Sequence, residues 1–93
     1  MLSQEPINLE KVKKEDLDKE ILRLGMIAEL DAISLYEQLA VMTGKENIKK
    51  VLLDIAKEEK THVGEFETLL LKEDEEQAKE LEEGKKEIEE LKF

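Results

Sequence analysis

The run Glu58-Glu59-Lys60-Thr61-His62 sets a carboxylate and an imidazole three residues apart. If the segment is helical, Glu59 and His62 share one face, one turn apart. Their neighbours on that face are Leu52, Ile55 and Phe66. A second carboxylate, Glu29, sits in a similar oily stripe made by Leu22, Met26, Ile33, Tyr36 and Ala40. Burying one ionised carboxylate alone costs several kcal/mol, and two together repel. No Lys or Arg falls on either stripe, because Lys49, Lys50, Lys57 and Lys60 belong to other faces. One histidine cannot neutralise two acids. A divalent cation can, and a Glu/His donor set suits Fe, Mn or Zn. Glu-x-x-His by itself is common, and a lone His among apolar residues is usually a hydrogen-bonded core residue. The distinguishing feature is the position of Glu29.

That position follows from the elements. A helical pattern runs from about residue 14 to 43 with Gly25 as its sole breaker, and Gly44 supplies a stop signal. The short turn TGKEN favours two antiparallel neighbours. A second helix is expected over about 46–72. Glu29 precedes the turn by about as many residues as Glu59 follows it, so the two come level across the seam. His62 is expected one turn beyond, and Asp31, Glu58 and Glu65 are expected to point elsewhere. Residues 73–93 form a charged third segment with a narrow apolar stripe of Ala78, Leu81, Ile88 and Leu91. Its Glu75–Lys79 and Glu82–Lys86 pairs have favourable helical spacing. The organisation expected is an extended arm over 1–13 marked by Pro6, a hairpin over 14–72 and a short C-terminal helix over 73–93.

The hairpin calls for a second copy on two grounds. Its first helix is apolar on nearly every side, with Leu24, Ala28, Leu35 and Met42 on one flank and Ile27, Leu30 and Val41 on another. Such a helix is normally buried all round, and one charged segment cannot cover it. The ligand count is also half of a known pattern. Di-iron carboxylate bundles take a Glu from each of two helices and Glu-x-x-His from each of the other two. A twofold pair of this chain supplies four Glu and two His, whose charge balances two Fe²⁺. The fold class expected is therefore all-α, with two hairpins pairing into a four-helix bundle.

Composition narrows the field. The 93 residues carry a net charge of -10, of which the last 21 contribute ten acids against four bases. That sign opposes nucleic acid as a partner. The absence of cysteine removes disulfides, thiolate metal sites and thiol catalysis. No run is apolar enough for a membrane span, and no signal-peptide pattern opens the sequence. A cytoplasmic protein is expected.

The segments LRLGMIAELDAISLYEQLA and LLDIAKEEKTHVGEFETLLL resemble the ferritin-like and rubrerythrin-type proteins, above all the single-hairpin encapsulated ferritins. The resemblance covers about residues 20–72, including the 30-residue interval from Glu29 to Glu59. It implies a ferroxidase centre of Glu29, Glu59 and His62 shared across a dimer, with two Fe per dimer and Mn or Zn as substitutes. It further implies a ring of dimers such as a decamer, and work inside an encapsulin nanocompartment. An outer cation site found in some members is reduced here to Asp31, since Ala28 precedes Glu29. Tyr36 is a candidate for a supporting or radical-quenching role, or for simple packing. No shell-docking tail is recognisable after ELKF. That leaves a different docking mode, a longer natural chain fused to its shell, or no shell.

Three functions compete. The first is ferroxidation for iron storage in an encapsulin shell. The second is a rubrerythrin-like peroxidase at the same metals. The third is a non-catalytic helical oligomerisation module whose Glu and His pair across an interface.

Overall fold

The computed structural model describes residues 8–93, so Pro6 and most of the expected N-terminal arm lie outside it. Two 3-10 turns, Leu9–Lys11 and Lys14–Asp16, lead into α1 (Leu17–Met42). Helix α2 (Glu46–Glu73) returns antiparallel to it, and α3 (Glu75–Glu90) follows. At 1.5 Å per residue the two long helices run about 39 and 42 Å. Leu and Glu are frequent in both, with Ala and Ile in α1 and Lys in α2, and neither contains proline. No described helix is long and apolar enough to cross a membrane.

The hairpin turn differs in detail from expectation. Among the described residues no glycine has a positive φ, so Gly44 is not a left-handed cap. Helix α1 instead ends because Thr43 swings to an extended conformation (φ -76°, ψ 139°). The Lys45 amide then donates to Thr43 Oγ1 at 3.3 Å. Gly44 itself lies in open space.

A single residue, Asp74, separates α2 from α3 (φ -137°, ψ 89°). Its Oδ1 accepts from the Gln77 amide at 3.0 Å, capping α3. Its Oδ2 accepts from Arg23 Nη2 at 2.8 Å, and Arg23 Nη1 donates to Glu20 Oε1 at 2.9 Å. One buried carboxylate thus pins the start of α3 to the first turns of α1. The Gln77 hydrogen bond holds the Asp74 carboxyl below its ordinary value against the opposing effect of burial, helped by Lys19 and Arg23. A carboxyl lowered by folding stabilises fully above its unfolded value, and that contribution disappears as pH falls through the folded one. Hydrogen exchange should therefore show the Gln77 amide losing protection only below the usual carboxylate range. In Asp74→Ala, which removes the accepting oxygen, it should be poorly protected already at neutral pH. On α3, Lys86 pairs with Glu83 at 3.4 Å, one residue from the partner that helical spacing suggested.

The chain encloses little core. Among the described residues the buried apolar ones are Ala40, Ala56 and Leu70. Large apolar side chains remain outside, including Leu30 at 52%, Val41 at 82%, Met42 at 79% and Leu69 at 50% exposure. The chain exposes 7494 Å², against about 5,500 Å² for a compact monomer of this mass. Its radius of gyration of 16.5 Å compares with about 12 Å for a compact domain of this length.

Candidate metal centre

Glu29 projects from the middle of α1, and Glu59 and His62 project toward it from α2. One ligand atom from each of the three lies within 4.8 Å of the other two. His62 Nδ1 is 3.3 Å from Glu59 Oε2 and 3.4 Å from Glu29 Oε2. The imidazole therefore stands between the two acids rather than apart from them. The Glu29 and Glu59 side chains are 21% and 18% exposed, and His62 is 45% exposed.

Compensation of charge at this cluster is poor. Glu29 Oε2 is buried and accepts no hydrogen bond, because the nearby imidazole nitrogen is within ion-pair range but badly aligned. Lysine and arginine ion pairs seen among the described residues of the hairpin are made to other acids. Lys60 pairs with Glu37 at 3.2 Å, Lys19 lies 3.9 Å from Asp16, and Arg23 holds Glu20 and Asp74. A stranded buried carboxylate oxygen costs about 1–3 kcal/mol or more.

A cation answers that deficit. Ligand atoms about 2.1 Å from a shared metal lie roughly 3–4 Å from each other. The two imidazole–carboxylate distances fall in that range. Two oxygens and one nitrogen also form a donor set accepted by Fe, Mn and Zn. For His62 to ligate through Nδ1, its proton must reside on Nε2.

Beside the trio runs a groove of about 340 Å³ lined by Glu29, His62, Glu65, Phe66 and Leu69. Glu65, one turn beyond His62 and expected to point elsewhere, is among the residues that line this groove but is not a member of the trio. Glu65 is exposed, and its charge adds to the negative potential beside the groove. Asp31 is half-buried on α1 and is not a member of the trio. Tyr36 is half-buried two turns along α1 from Glu29, and the groove is lined without it.

Two long antiparallel helices with an inward Glu on one and Glu-x-x-His on the other define a ferritin-like half-bundle. Comparison with known proteins agrees. Residues 20–93 match the Rubrerythrin family, and the chain belongs to that family. It is 55% identical over 93 residues to a ferritin-like–encapsulin shell fusion protein of Pyrococcus furiosus. The match covers 98% of this chain and 27% of that relative, so the chain spans about a quarter of its length. The crystal structure of an encapsulated ferritin domain from Pyrococcus furiosus superposes with a TM-score of 0.83 at 54% identity. That superposition covers 98% of this chain and 95% of the other.

Proposed function

We propose that the chain is a ferroxidase that oxidises Fe²⁺ to Fe³⁺ at a centre shared by two copies, each donating Glu29, Glu59 and His62. The observation that carries this reading is the Glu29–Glu59–His62 cluster with its stranded Glu29 oxygen. In a twofold pair, four carboxylates bring a charge of -4, which two substrate Fe²⁺ ions balance. Glu29 and Glu59 bind and hold the ions by charge. His62 supplies a neutral nitrogen that leaves this balance intact, with its proton kept on Nε2. Each Fe²⁺ gives up one electron. The two electrons and two protons convert O₂ to hydrogen peroxide, or hydrogen peroxide to two waters. More negative charge is needed on the protein side as the ions become Fe³⁺, and Glu65, which lines the same groove, is a candidate source of it.

Among the described residues the helices pack around a small core of Ala40, Ala56 and Leu70, with no room for mineral, so on this reading oxidised iron passes elsewhere. An encapsulin shell is the destination that fits, because a relative joins a like domain to such a shell. Exposed apolar surface on all three helices supports further assembly of pairs into a ring such as a decamer.

Membership of the Rubrerythrin family favours one second reading, a peroxidase at the same site. Stopped-flow mixing of Fe²⁺-loaded protein with O₂ or with H₂O₂ separates the two. Fast oxidation by O₂, followed by iron retained as Fe³⁺, is expected of the ferroxidase. Preference for peroxide with repeated turnover by an added reductant would favour the peroxidase. No acceleration over buffer by either oxidant would leave the oligomerisation module.

A further inference from the structure

Gly25 and Phe66 flank the trio on the same side. Gly25 lies one turn before Glu29 on α1, and Phe66 lies one turn after His62 on α2. The Phe66 ring occupies the space that a side chain at position 25 would need. A Cβ built on Gly25 would stand 2.7 Å from Phe66 Cε1 and 2.9 Å from both Cδ1 and Cζ. Real Cβ atoms do not approach carbon that closely. The other three glycines, Gly44, Gly64 and Gly84, meet nothing within 4 Å. A glycine inside a helix costs about 0.5–1 kcal/mol relative to alanine. At position 25 that cost comes with the approach of the Phe66 ring to the α1 backbone. The same ring lines the groove with Glu29 and His62.

We propose that Gly25 and Phe66 act together as positioning residues, a ring-against-backbone spacer that sets the α1–α2 separation at the level of Glu29 and His62. This rests on the reading of Glu29, Glu59 and His62 as metal ligands. With alanine at position 25 there are two ways to relieve the clash. The helices part, which draws Glu29 away from His62. Otherwise the ring swings into the groove and displaces His62 or Leu69. Either movement spoils donor spacing that must hold to a few tenths of an ångström. Partners that orient metal ligands through hydrogen bonds change affinity about 10–100-fold when replaced, and a spacer that sets ligand separation is expected to act toward the lower end of that range.

The test uses Zn²⁺ as a redox-inert probe and the imidazole NMR signals of His62, the sole histidine, as the readout. In wild-type protein these signals should shift and saturate. Gly25→Ala should weaken Zn²⁺ binding about 10-fold or more, with helicity and assembled mass unchanged. Phe66→Leu removes the spacer from the other side and should also weaken binding. In Gly25→Ala/Phe66→Leu the new methyl enters space vacated by the ring, and affinity should recover above that of Gly25→Ala. Should Gly25→Ala fail to fold, Phe66→Leu decides, and wild-type affinity there would overturn the spacer. Wild-type affinity in Gly25→Ala, or no recovery in the double variant, would equally overturn it while leaving the metal centre standing. Wild-type signals indifferent to Zn²⁺ would instead remove the metal centre, and the spacer's role with it.

Discussion

Glu59→Ala and His62→Ala should each return aerobic Fe²⁺ oxidation to the rate seen in protein-free buffer. Loss of a directly ligating group exceeds the 10–100-fold effect of its supporting contacts, so a drop of about 100-fold or more is expected. Stopped-flow absorbance of Fe³⁺ formation is the measurement. Glu29→Ala should do the same, with one added consequence. Glu29 Oε2 is buried without a hydrogen bond, next to a second carboxylate. Removing it relieves the metal-free protein of an unsatisfied charge costing about 1–3 kcal/mol. Thermal unfolding of metal-free Glu29→Ala should therefore occur at the same temperature as wild type or a higher one. Lost oxidation together with retained or raised stability marks a group kept for its ligand rather than for the fold. A large fall in stability with oxidation intact would reverse the assignment.

Leu69→Glu should dissociate the pairs and abolish oxidation together. Leu69 is half exposed in the single chain yet lines the groove beside Glu29 and His62. If a second hairpin closes over that groove, two copies of residue 69 become buried near the shared axis. An added carboxylate there carries a penalty of several kcal/mol per ion, and each 1.4 kcal/mol is tenfold in association. Weakening of the pair by about 100-fold or more is expected, read by sedimentation across a concentration series. The sign of the new charge matters. Glutamate attracts Fe²⁺, so lost oxidation cannot be attributed to repulsion of the substrate. Oxidation that survives in Leu69→Glu monomers would show that one hairpin suffices, and the shared centre would be wrong.

Much of this was legible in the sequence because long helices obey a simple geometry. Polar residues at 29, 59 and 62 interrupt otherwise apolar stripes, and a three-residue turn fixes which of them meet. The antiparallel hairpin and its central acids follow from those two facts alone. Asp74 was hidden for a physical reason. Its amide still donates to Leu70 O at 2.9 Å and its carbonyl still accepts from Ala78 N at 3.2 Å. Periodicity therefore runs almost undisturbed through the break. The available signal was chemical, an acid at 74 followed three residues later by Gln77, which is a helix-start signature. Arg23, the only arginine in the chain, gave no sign that its partner lay 51 residues away. Glu65 lines the groove because it lies three residues after His62, the same helical spacing that sets His62 beside Glu59. Gly44 is a glycine whose special conformations the turn does not use.

Native mass spectrometry of the protein titrated anaerobically with Fe²⁺ reports chains and bound iron in one spectrum. Chains should appear in even numbers and take up iron to one ion per chain, two for each pair, and Glu59→Ala should bind none under the same conditions. Iron filling single chains, or pairs that stay iron-free at saturating Fe²⁺, would contradict a metal centre built between two copies.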